Sequence, residues 1–141
     1  MKALARILVV DDGDTQRQII SDVLTRARYE VAQASSTSEA IEEIARDRLD
    51  LIITDLKMED GNGIDVLREA KQLSPETEVI VMTAYGSIES AVEAMREGAH
   101  DYITKPFDKD VLLVSVQKAL EHKRLYEENL ELRELVETRF T

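Results

Sequence analysis

Short apolar runs alternate with amphipathic stretches along almost the whole chain. Ile7-Leu8-Val9-Val10 is rich in β-branched residues and reads as a buried strand. From about Thr15 to Arg28 the spacing changes to that of a helix, with Ile19, Ile20, Val23 and Leu24 on one face. Glu30 to Ala34 is the next strand. Ser36-Thr37-Ser38-Glu39 has the chemistry of a helix start, and the helix it opens carries Ala40, Ile41, Ile44 and Ala45. Leu49 to Thr54 is a third strand. Gly61-Asn62-Gly63 reads as a loop, followed by a helix with Ile64, Leu67, Ala70 and Leu73 at spacings of three. Ser74-Pro75 stops that helix, because a residue before proline is pushed out of the helical region. Glu78 to Met82 is a fourth strand, Ile88 to Glu97 a helix ended by Gly98, and Tyr102-Ile103-Thr104 a fifth strand broken by Lys105-Pro106. From Asp108 onward the pattern stays helical.

Alternation of five strands with five helices predicts parallel strands joined by right-handed crossovers. The strands are mostly continuous apolar runs, as in a sheet covered on both faces.

Composition narrows the chemistry. With 43% hydrophobic residues in 141, there is enough apolar material to offset chain entropy, so disorder is not expected. The net charge of -11 opposes direct nucleic-acid binding by this segment, since an acidic surface repels a phosphate backbone. Cysteine is absent, which removes disulfides, thiolate metal sites and a Cys nucleophile. Two histidines, His100 and His122, are too few for a His-rich metal site on this reading. No apolar run approaches the roughly 20 residues of a membrane helix. The start does not read as a signal peptide, and the expectation is a soluble cytoplasmic protein without membrane partners.

Ligands of open α/β sheets bind beyond the carboxyl ends of the strands. Those positions hold Asp11 and Asp12, Asp55, Thr83 and Ala84, and Lys105 and Pro106. Each has a plain structural alternative: Asp11-Asp12 and Thr83 as helix caps, Asp55 as a loop carboxylate, Lys105 as a solvated charge. Together they are a cluster of carboxylates, a hydroxyl and an ammonium at one edge. Clustered carboxylates repel and call for a cation, and oxygen-only ligands favour a hard ion such as Mg²⁺. A carboxylate there can attack phosphorus to form an acyl phosphate, with the lysine and threonine facing the phosphoryl oxygens.

Four segments, Ile7-Leu8-Val9-Val10-Asp11-Asp12, Thr54-Asp55-Leu56-Lys57-Met58, Val81-Met82-Thr83-Ala84 and Tyr102-Ile103-Thr104-Lys105-Pro106-Phe107, stand in the order and spacing of a known family. The sequence resembles the receiver domain of two-component response regulators over about residues 5–122. The Thr83-Ala84-Tyr85-Gly86 segment and the charged tail look most like receivers of NtrC-type transcriptional activators. The resemblance implies a flavodoxin-like doubly wound α/β fold, with a five-stranded parallel sheet in the order 2-1-3-4-5 and five helices, the last extended at the C-terminus. It implies a regulatory domain rather than an enzyme, with Asp55 as acceptor of a phosphoryl group from a sensor histidine kinase. It implies Mg²⁺ held by Asp12, Asp55 and the Lys57 main-chain carbonyl, with Asp11 acting through water. It further implies a cis Lys105–Pro106 peptide and a Thr83–Tyr102 switch acting on the surface of the fourth and fifth helices and fifth strand. Lys57 and Tyr85 would flank the water path to the phosphate. In NtrC-type proteins a helix leads on to an ATPase domain and a DNA-binding domain, so the chain is expected to be the regulatory segment of a longer protein.

One departure stands beside the site. The family often has proline after the Met58 position, where this chain has Glu59, followed by Asp60 and Gly61. Asp14 adds a further carboxylate near the edge. Asp12-Gly13-Asp14-Thr15 also resembles the first motif of haloacid-dehalogenase-type phosphatases, which would make Asp12 the nucleophile, but Gln16 departs from that motif. A flavodoxin would share the fold, yet the acidic Asp11-Asp12-Gly13-Asp14 loop would repel a flavin phosphate. A non-phosphorylated interaction module on the same fold would normally lack part of the acidic, Thr and Lys set.

Residues 1–122 thus read as the domain and 123–141 as a linker helix. Val111, Leu112, Val114 and Val116 are core candidates in the last helix. Beyond them Leu125, Asn129, Leu132 and Val136 recur at spacings of four, three and four, a heptad seam with one polar position. An isolated helix of this length is marginal in water, so a homodimer through a short coiled coil is expected.

Overall fold

The computed structural model describes residues 4–84 and 86–140, with side chains as far as residue 137. Tyr85, and with it the expectation that it flanks the water path, lies outside the described residues.

Five parallel strands, β1 (Arg6–Val10), β2 (Glu30–Ala34), β3 (Leu51–Thr54), β4 (Glu78–Thr83) and β5 (Asp101–Thr104), form one sheet in the order β2-β1-β3-β4-β5. The order reverses direction beside β1, so the carboxyl ends of β1 and β3 border the crevice of a doubly wound sheet. Helices α1 (Asp14–Arg26), α2 (Thr37–Arg46), α3 (Gly63–Leu73), α4 (Ile88–Arg96) and α5 (Lys109–Phe140) alternate with the strands.

The continuous apolar runs are buried on both sides. Alternate residues of a strand point to opposite faces, and the core divides accordingly. Leu8, Ile52, Val79 and Val81 belong to one cluster with Ala40, Leu67 and Ala94 from α2, α3 and α4. Ile7, Ile53, Ile80 and Met82 belong to the other, with Leu24 of α1 and Leu112 and Val116 of α5.

Helix ends follow local chemistry. The Ser36 hydroxyl accepts from the Glu39 N–H and caps α2. Gly98, at φ 101°, follows α4, with its N–H bonded to the Met95 carbonyl and that of Ala99 to Ala94, a Schellman closure. Helix α1 ends at Arg26 instead of Arg28, because Arg28 takes the left-handed conformation at φ 74° without a glycine to mark it.

Three further expectations are corrected. Gly61 and Asn62 are not loop but pair with Lys57–Met58 in a two-residue antiparallel hairpin, and Gly63 is the first residue of α3. Val111 and Val114 are 54% and 47% exposed, so only Leu112 and Val116 of that set are core. Ile19 and Leu73, expected on the apolar faces of their helices, are largely exposed. Helix α5 runs unbroken through residue 122, and buried Lys123 still pairs with Asp50 of the body at 3.1 Å.

Candidate functional site at the carboxyl edge of the sheet

Asp11 follows β1, Asp55 follows β3, Thr83 ends β4 and Lys105 follows β5. Parallel pairing in register brings these strand ends together. The Lys105 ammonium donates to Asp11 Oδ2 at 2.6 Å and to Asp55 Oδ2 at 3.1 Å. All three side chains are buried: Lys105 is 10% exposed, Asp11 4% and Asp55 8%. Burial pulls the Lys105 pKa down, but the hydrogen bond to Asp11 and the charges of Asp55 and Asp11 outweigh it, and the net shift is upward from the ordinary lysine value.

Backbone donors orient the carboxylates. Asp55 Oδ1 accepts from the Leu56 N–H at 2.6 Å, and Asp11 Oδ1 accepts from the Gly13 N–H at 2.9 Å. The Arg17 guanidinium on α1 holds the Asp11 main-chain carbonyl at 2.8 Å. Asp12 is exposed, and its Oδ2 accepts from the Glu59 N–H at 3.1 Å. A proline at position 59 could not make that bond, so the departure from the family pattern has a structural consequence.

The simple structural alternatives fail on this geometry. Gly13, not Asp11 or Asp12, is the N-cap of α1, and no side chain caps that helix. Ser87, not Thr83, caps α4. Asp55 and Lys105 are neither loop-exposed nor solvated. Asp14 is exposed and pairs with Arg17 at 2.7 Å.

Thr83 is fully buried. Tyr102 is half-buried against the core, and its hydroxyl lies 2.6 Å from Ser90 Oγ on α4. Ser90 also forms the capping box of α4 with Ser87, so the Tyr102 ring is joined to the start of that helix. The Lys105–Pro106 peptide is cis.

Two supporting features escaped the sequence reading. A Cβ on Gly63 would stand 2.1 Å from the Asp55 carbonyl oxygen, so only glycine lets α3 press against the backbone of that residue. Asp60, in the hairpin turn beside Lys57, accepts from the Thr37 and Ser38 N–H groups, tying the site loop to the start of α2. Those backbone bonds hold the Asp60 pKa below the usual carboxylate value. A loop containing Gly61-Asn62-Gly63 was visible; which glycine meets which backbone was not.

The donor set is oxygen alone. Three carboxylates, Asp11, Asp12 and Asp55, stand with one ammonium among them, an arrangement that suits a hard divalent cation. Such an edge, on a five-stranded flavodoxin-like sheet, defines a class of regulatory α/β domain, and the comparisons with known proteins agree on the class.

The family model for the response regulator receiver domain matches residues 7–117, and the chain belongs to that family. It is 43% identical over 116 residues to the transcriptional regulatory protein ZraR of Escherichia coli K12, covering 82% of this chain and 26% of the relative. It is 38% identical over 138 residues to the regulatory protein AtoC of the same organism, covering 98% and 30%. The chain thus spans between a quarter and a third of the length of these curated relatives. Among solved structures it resembles NtrX from Brucella abortus, at TM-score 0.85 and 34% identity, covering 94% of this chain and 30% of that one. It also resembles the beryllofluoride-activated NtrC4 receiver domain dimer, at TM-score 0.80 and 33% identity, covering 84% and 98%. The chain is a receiver most like those of NtrC-type transcriptional activators. No helix among the described residues is long and apolar enough to cross a membrane.

Proposed function

We propose that this receiver is cytoplasmic, accepts a phosphoryl group on Asp55 from a phosphohistidine of a sensor histidine kinase and switches a transcriptional output. The carrying observation is the Lys105 ammonium bridging two buried carboxylates at the switch point of the sheet. An Asp55 carboxylate oxygen attacks phosphorus; the new P–O bond forms as the P–N bond breaks and its electron pair returns to the imidazole. Lys105 and the Thr83 hydroxyl face the charge that develops on the phosphoryl oxygens. Asp11, Asp12, Asp55 and the Lys57 main-chain carbonyl would hold Mg²⁺, which offsets carboxylate and phosphoryl charge when bound.

The same geometry supports the switch. A phosphoryl oxygen beside Asp55 is a new acceptor for Thr83, and the Tyr102–Ser90 bond links the response to α4. Helices α4 and α5 expose Ile88, Val92, Met95, Val111 and Val114, an apolar surface suited to carry the change outward. The tail of α5 exposes Leu125 at 51%, Leu132 at 63% and Val136 at 55%, and Asn129 between them is also exposed. This supports a homodimer through that seam, in a longer protein with ATPase and DNA-binding domains.

Incubation with acetyl phosphate and Mg²⁺, followed by intact mass and site mapping, tests the reading. One phosphoryl group on Asp55, lost in Asp55→Asn and with EDTA, is expected. Modification that persists on Asp12 in that variant overturns it. Unchanged Tyr102 side-chain shifts on adding beryllofluoride would refute the switch.

A further inference from the structure

The amino edge of the sheet carries a second cluster that phosphorylation does not use. Glu78 opens β4, and its carboxylate is 6% exposed. His122 of α5 places Nδ1 2.6 Å from Glu78 Oε1, and His100, in the turn between α4 and β5, places Nδ1 3.8 Å from Glu78 Oε2. The chain has only these two histidines, and both face this one buried carboxylate.

We propose that Glu78, His100 and His122 form a binding site for a late first-row divalent transition ion, with Zn²⁺ as the best fit. One ligand atom from each residue lies within 4.8 Å of the others. In a tetrahedral zinc site with bonds of about 2.0–2.2 Å, ligand atoms stand about 3.3–3.5 Å apart, so closure asks for side-chain rotation only. Two backbone anchors hold the frame: the Glu78 N–H bonds to the Asp50 carbonyl and the His100 N–H to that of Val79 at 2.7 Å. The rings are tilted at 46° with centroids 5.9 Å apart, so they do not stack. His122 is 63% exposed and His100 21%, so the cluster opens to solvent through the α5 side and a water can complete the coordination. Two imidazoles and a carboxylate favour zinc, nickel or copper over magnesium or calcium, which take oxygen. Binding displaces to solvent the proton that the Glu78–His122 hydrogen bond holds.

The ion would join β4, the turn before β5 and α5 at residue 122, where the helix leaves the domain for the exposed seam. The site therefore clamps the root of the tail helix, independently of Asp55.

The test is titration of the full chain with Zn²⁺ in excess Mg²⁺, by equilibrium dialysis and by ¹⁵N-edited NMR of the histidine rings. One Zn²⁺ per chain is expected, with both rings shifted. His122→Gln and His100→Gln should each weaken binding by about tenfold or more, while Asp12→Asn leaves it unchanged. His122 is solvent-exposed, and an unchanged unfolding midpoint of His122→Gln in EDTA shows that lost binding is not lost fold. Equal affinity in parent and His variants, rings that do not move while zinc is taken up, or no uptake at about 100 µM Zn²⁺ would each overturn the proposal.

Discussion

Buried carboxylates stand at both edges of the parallel sheet, but their partners differ. At the carboxyl edge Asp11 and Asp55 share the ammonium of Lys105, itself 10% exposed. At the amino edge Glu78 faces His100 and the largely exposed His122. An ammonium is a fixed cation that coordinates nothing, so the first edge offers oxygens alone, as the hard ion and phosphoryl group proposed for it require. An imidazole that gives up its proton becomes a nitrogen ligand, so the second edge suits a softer ion. The neighbour of the carboxylate, more than the carboxylate, decides what each edge can bind.

The largest expected effect is at Asp55. Asp55→Asn should abolish phosphoryl uptake while His122→Gln leaves it intact, measured side by side by intact mass; a shared loss would erase the distinction between the edges. Removing the carboxylate's partner at each edge sharpens it energetically. Lys105→Met leaves two buried carboxylates without their ammonium and should cost about 3 kcal/mol in urea unfolding. His122→Gln in EDTA should cost less than about 1 kcal/mol, because its partner is lost on the solvent side.

Gly63→Ala probes the carboxyl edge through its backbone. The added methyl meets the Asp55 carbonyl, and a loss of about 2–3 kcal/mol with slower phosphorylation is expected. Normal stability in Gly63→Ala would show that α3 can retreat from Asp55 without consequence.

The alkaline limb of stability gives a further contrast. The folded Lys105 pKa lies above its unfolded value, so its contribution is complete below about pH 10 and is lost as pH rises through the folded value. Lys123 is also raised: burial lowers it, and hydrogen bonds to Glu127 and Asp50 more than compensate, so it acts with the same sign. Lys105→Met should therefore flatten, but not remove, the fall in unfolding free energy above about pH 10.

The smallest effect is expected at Ser90. Ser90→Ala removes the Tyr102 partner and half of the α4 capping box, for about 1 kcal/mol. The Tyr102 ring should gain mobility by NMR, while zinc binding at the opposite edge should not change.

The carboxyl edge was legible because its chemistry sits where strands stop. Asp11, Asp55, Thr83 and Lys105 each follow or end an apolar run, and in a parallel sheet all such ends lie on one side. The amino edge was not, because Glu78 and His122 are 44 positions apart and neither stands in a motif. Glu78 opens a strand run, and His122 stands within the long helical pattern that follows Asp108. The exposure of Val111 and Val114 was hidden for a related reason: a run of apolar residues in a helix cannot all face one core, and spacing alone does not say which side the sheet covers.

From the sequence alone came the five strands and five helices of the main sheet and its cover, the parallel arrangement of those strands and the residues at their ends. These depend on periodicity, cap chemistry and breakers, which act between near neighbours along the chain. Only the tertiary structure decided that one ammonium serves two carboxylates, that Gly63 must be bare to clear the Asp55 carbonyl, and that both histidines converge on Glu78. Those relations are distances between segments brought together by packing, and the order of residues along the chain does not encode distance across a core.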